Sequence, residues 1–134
     1  MDGTRDAESL TVRGWQRAGS LVALLSPRPG NSNAAVAATP SHLFASRVGE
    51  TTSQSRRPRE TLEPLSEHLR TPIDDRFLKS EIDGLVAALR ASDGPVVVAW
   101  EHKVIPLISA ALTGHPAMTP TTWPDDRLDV CWVF

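Results

Sequence analysis

The sequence predicts an α/β layer protein built on a mostly parallel sheet, and two observations carry that prediction. Short apolar runs alternate along the chain with segments whose apolar residues recur every three or four positions. The strongest run, Val96 to Trp100 (VVVAW), has no polar alternation, as expected of a strand covered on both faces. A third observation bounds the size. A chain of 134 residues suffices for one domain with a real core but not for two ordinary ones.

The elements follow in order. Residues 1–9 are polar and expected to be flexible. From Leu10 to Leu25, the positions Leu10, Gly14, Trp15, Ala18, Leu21, Val22 and Leu25 recur at helical steps, with Thr11 as N-cap. Pro27 and Pro29 stop this helix, and residues 26–41 form a low-complexity loop, also expected to be flexible. His42 to Ser46 is a short apolar strand, and a polar loop follows it. Pro58 to Leu69 carries Leu62, Leu65 and Leu69 at helical spacing. Pro58 suits a first turn, whereas Pro64 is expected to shift or kink the helix. Thr71 to Arg76 is a connection in which Asp74 or Asp75 can cap the next helix, Phe77 to Leu89. Ser92 to Pro95 is a turn, Val96 to Trp100 a strand, and Ile105 to Thr113 a helix closing on Gly114. A proline-rich loop leads to a last strand, Leu128 to Phe134. Three strong strands make a thin sheet for this many helices.

Composition excludes several classes. A net charge of -2 gives no overall field towards nucleic acid or a membrane, although Arg56, Arg57 and Arg59 are clustered. Cys131 is the only cysteine, which rules out an intrachain disulfide or a cysteine metal cluster. Its apolar neighbours suit a small buried hydrophobe. No stretch approaches the roughly twenty apolar residues of a membrane span. The polar, acidic start is unlike a secretory signal. A cytoplasmic protein with no metal, cofactor, nucleic-acid or membrane partner is the expectation.

In open parallel sheets, ligands bind outside the carboxyl ends of the strands. Two groups lie there: Ser46 with the loop to the arginine cluster, and Glu101–His102–Lys103. Guanidinium forks, free backbone donors and a helix dipole opposite a histidine would suit a phosphate.

These segments also carry a resemblance. SQSRRPRETLEPLSEHL resembles the S-x-x-x-R-A-x-(Q/E)-T-A-x-x-(L/I) segment of the histidine phosphatase superfamily, the phosphoglycerate-mutase-like enzymes. VVVAWEHKVIPLISAAL is similar to that family's strand ending in its second histidine, and DDRLDVCWVF to the late strand that follows. LTVRGWQRAGSLVALL resembles the helix after the catalytic first strand. The four segments occur in family order over about residues 10–134. The resemblance implies a three-layer α/β/α sandwich and phosphomonoester hydrolysis or phosphoryl transfer through a phosphohistidine, without a metal. It also implies that His102 is the second histidine and Arg57 the motif arginine, both binding the phosphoryl group. The ligand would be a phosphorylated small molecule or a phosphoprotein.

The chain departs from the family at one decisive point. No R-H-G or R-H-A segment occurs, so the nucleophile and its strand are missing. The resemblance therefore implies an incomplete single domain over residues 1–134, binding phosphate with little turnover. A catalytically dead phospho-ligand module, or an interaction protein pairing through an open sheet edge, is the alternative.

Each site residue also has a plain structural reading. His102 competes with a histidine in an ordinary strand-to-helix turn, and Arg57 with a solvated basic face. Glu101, Asp74 and Asp75 are all open as the proton-donating acid, with helix capping the better single explanation for either aspartate. His42, His68 and His115 have no metal-ligand spacing. His42 would also stand at the amino end of its strand, the wrong end for a nucleophile.

Overall fold

The computed structural model describes residues 9–26, 39–49 and 55–114. The elements are α1 (Val12–Leu25), β1 (His42–Ala45), α2 (Arg57–Leu69), β2 (Ile73–Asp74), α3 (Ile82–Ala91), β3 (Val96–Ala99) and α4 (Ile105–Thr113). The strands form one parallel sheet in the order β2–β1–β3. Leu43 pairs with Ile73 on one side and Val97 on the other. The α/β prediction with a parallel sheet therefore holds. The predicted strand from Leu128 to Phe134, with Cys131, lies outside the described residues. So do His115, the loop after it, residues 1–8 and residues 27–38.

The two-residue period of β1 sorts the core. Leu43 and Ala45 cluster with Leu62 and Leu65 of α2, and Val22 and Leu25 of α1 pack against that cluster. Phe44 points the other way and clusters with Leu85 of α3, Ile108 of α4 and Trp100. Side chains of β3 split alike, Val97 and Ala99 to the first cluster, Val96 and Val98 to the second. β1 is the central strand, and its three apolar residues are at most 3% exposed. β3 has a ladder partner on one edge only among the described residues.

Local chemistry explains the element ends. Thr11 caps α1 as predicted, its Oγ1 accepting from the Gly14 N–H at 3.2 Å. α1 packs mainly along α2 through the fully buried Ala18, while Trp15, assigned to the apolar face, is 38% exposed. α2 runs as one helix from Arg57 through Pro64, so its start is not shifted past the proline. An interior proline costs about 3 kcal/mol. Leu62 and Leu65, both fully buried, offset that at about 1.5–3 kcal/mol each.

Two predictions fail in the connection after α2. Ile73–Asp74 is a strand that the sequence reading treated as loop, because two residues are too few to show a period. α3 begins at Ile82 rather than Phe77, so neither Asp74 nor Asp75 caps it. Tertiary pairing decides this. The Arg47 N–H donates to the Phe77 carbonyl at 2.7 Å, and Arg47 bridges Leu78 in parallel fashion, which holds the segment extended. The Glu81 carboxylate then accepts from the Leu78 N–H at 3.0 Å, closing a turn before the helix.

The turn into β3 requires glycine at Gly94, where φ is 84°. Ser41 fastens this turn to β1, its hydroxyl donating to the Asp93 carbonyl at 2.8 Å. Gly114 closes α4 at φ 68°, as predicted. Among the described residues, no helix is long and apolar enough to cross a membrane.

Candidate functional site

Because the strands are parallel, their carboxyl ends lie on one rim, and α2, α3 and α4 each begin there. The rim therefore receives the positive ends of these helix dipoles. Its side chains come from the buried Ser46 and Arg47 after β1, Asp74 to Lys79 after β2, and Trp100 to Lys103 after β3.

The arginine cluster occupies the first turn of α2, with Arg56 at the N-cap and Arg57 and Arg59 inside the helix. Cations at a helix N-terminus are adverse by about 0.3–1 kcal/mol each at exposed positions. Two of the three are compensated locally. Arg59 reaches Asp75 at 2.8 Å, and Arg56 stands 3.7 Å from Glu60. Arg57 has no carboxylate partner among the described residues, and its Nε donates to the Ser9 carbonyl at 3.2 Å. The sequence left the choice among the arginines open. Within this cluster, the ion pairs leave Arg57 as the guanidinium with no described carboxylate partner.

Glu60 is the organising acid of this turn and is 8% exposed. It accepts from the Ser9 hydroxyl at 2.7 Å and from the Leu10 N–H at 2.7 Å. The start of α1 is thereby tied to the start of α2, and Ser9 is the residue that also meets Arg57. Sequence reasoning missed this role, because its partners lie fifty residues away along the chain.

His102 lies in the turn between β3 and α4, half-buried. The Glu101 carbonyl nucleates that turn by accepting from Val104 N–H at 2.9 Å and Ile105 N–H at 3.3 Å. α2 packs against β3, and the first turn of α2 and the turn that carries His102 both stand at the carboxyl end of the sheet. Beside His102, Trp100 is 7% exposed, and its indole N–H donates to the Lys79 carbonyl at 3.0 Å. The Lys79 ammonium lies 3.4 Å from the Glu101 carboxylate. Sequence reasoning missed Lys79 as well, because FLKSE read as the first turn of a helix.

Each acid weighed as a proton donor has a cationic partner. Glu101 pairs with Lys79, Asp75 with Arg59, and Asp74 with Arg76 at 3.0 Å. His42 stands at the amino end of β1 as predicted, and His68 is exposed in the last turn of α2. Among the described residues, no group of three or more His, Cys, Asp or Glu could hold a metal. A cavity of about 340 Å³ opens beside β1 and β2, lined by Ser41, His42, Thr71, Pro72 and their strand neighbours. Neither Arg57 nor His102 lines it, and no lysine or arginine does. Cations and helix N-termini therefore converge on the open rim rather than on that cavity.

Comparison with protein-family models, with curated proteins and with solved structures finds no match to this chain.

Proposed function

We propose that this chain is a histidine-phosphatase-like domain whose carboxyl-end rim binds a phosphate or phosphoester with little or no turnover. The observation that carries the reading is Arg57. It stands at the adverse end of the α2 dipole with no described carboxylate to offset it, on the same rim as His102. A bound dianion would reverse that penalty, meeting a guanidinium fork at the positive end of the helix dipole. His102 would contribute a donor from the β3 side. The ligand class is a phosphorylated small molecule or a phosphoprotein.

The domain is a three-layer α/β/α sandwich lacking its first core strand. Apolar side chains from α1 and α2 on one side of β1, and from α3 and α4 on the other, support the layering. The parent chemistry is phosphomonoester hydrolysis or phosphoryl transfer through a phosphohistidine, for which Arg57 and His102 would stabilise the transferring group. Without an R-H-G or R-H-A segment the covalent step has no nucleophile, and such a loss removes orders of magnitude of rate.

The test is a titration of the chain and of its Arg57→Ala variant with phosphate and vanadate, alongside an aryl-phosphate turnover assay. Weaker binding by the variant is expected, with negligible turnover by both. Equal affinity of the two chains would sink the anion site. A second reading is an interaction module that pairs through β3, whose run Val96–Ala99 has no charge or proline to discourage edge pairing. A concentration-dependent dimer without anion affinity would favour it.

A further inference from the structure

We propose that Lys79 is a further cationic ligand of the anion, held at the rim by Trp100 and occupied by Glu101 until an anion arrives. The inference rests on the phosphate-binding reading and deepens it.

Lys79 belongs to neither a helix nor a strand, yet its main chain is fixed. The two preceding residues are clipped to Arg47, through the Phe77 carbonyl at 2.7 Å and the bridge at Leu78. The Lys79 carbonyl takes the indole N–H of Trp100, which is 7% exposed. That bond lies in protected surroundings and sets Lys79 beside residue 100, two positions before His102. The backbone is therefore positioned with no help from the lysine side chain.

The side chain itself is held weakly. Its ammonium is 3.4 Å from the Glu101 carboxylate, beyond the usual range for a charged hydrogen bond, and the two side chains are 35% and 34% exposed. Exposed pairs of this kind contribute little to stability and are screened by salt. A phosphate dianion carries more charge than a carboxylate and offers more acceptors. The lysine, with rotatable donors on a flexible stem, can turn to it without moving the main chain. Glu101 then has a defined consequence. In the absence of ligand it offsets a cation on a rim that already holds Arg57 and the positive ends of three helices. In its presence it competes with the ligand for Lys79.

Inorganic phosphate titrated into the full chain, followed by calorimetry or amide chemical shifts, tests this with four variants. Lys79→Gln is expected to weaken binding about tenfold, the scale of one charge-assisted hydrogen bond lost. Lys79→Arg should recover most of that loss. Glu101→Gln removes the competitor and should tighten binding about threefold, the scale of one exposed pair. Arg57→Ala reports on the underlying reading. If Arg57→Ala weakens binding while Lys79→Gln does not, the site stands and the role of Lys79 is overturned. If the unaltered chain binds no phosphate, both fall together. Should Lys79→Gln unfold, Glu101→Gln decides alone, and unchanged or weaker binding by that variant overturns the proposal.

Discussion

Replacing Glu60 by alanine should destabilise the chain by about 3 kcal/mol, a large fraction of a small domain's total stability. The figure follows from what Glu60 holds. Its carboxylate takes the Ser9 hydroxyl and the Leu10 N–H, both at 2.7 Å, from a site 8% exposed. Hydrogen bonds to a charged group contribute about 1.5–3 kcal/mol each. The lower value applies here, because an unlatched Ser9 and Leu10 can reach water. The Arg56 contact, 3.7 Å long from a side chain 46% exposed, adds next to nothing. Urea unfolding followed by tryptophan fluorescence measures the loss, since Trp100 is buried in the core and Trp15 is partly exposed on α1. In a thermal scan the same loss is about 10 °C. Glu60→Gln should cost about half as much, because a neutral acceptor survives. A double-mutant cycle with Ser9→Ala should show coupling of about 1 kcal/mol. A Glu60→Ala chain within about 0.5 kcal/mol of the original, or strict additivity with Ser9→Ala, would refute the latch.

Three further outcomes follow from the packing and the turns. Leu65→Ala, at a fully buried position between α2 and β1, should cost about 3 kcal/mol in denaturant midpoint experiments. Leu107→Ala, 59% exposed on α4, should change stability by less than about 0.5 kcal/mol. Gly94→Ala should lower the thermal midpoint by a few degrees, a cost of about 1–2 kcal/mol. It forces a side chain onto a φ of 84° and places a β-carbon 2.8 Å from the Ser41 hydroxyl that fastens the turn.

Parts of this molecule were legible because they depend on neighbours in the chain. Thr11 caps α1, Gly114 ends α4, and VVVA is a strand, each for reasons confined to a few residues. The placement of the arginine cluster at a helix start was equally readable. The misreadings share a physical cause. α3 lost its first turn to pairing between Arg47 and Phe77–Leu78, a contact across thirty positions. Ile73–Asp74 became a strand only because β1 lies beside it. Pro64 stayed inside α2 because the buried leucines on either side outweigh one missing donor.

By itself, then, the sequence determined the alternation of strands and helices, their apolar faces, and the polar residues that follow each strand. Those properties come from local propensity and from side-chain period, which a linear chain displays. The tertiary structure alone decided that β1 is central and that, of the three clustered arginines, Arg57 is the one without a described carboxylate partner. It also decided that Lys79 and Glu101 meet beside His102. Charge compensation is a matter of distance in space. Which of three adjacent arginines keeps an unbalanced charge depends on where Glu60 and Asp75 are carried by the fold.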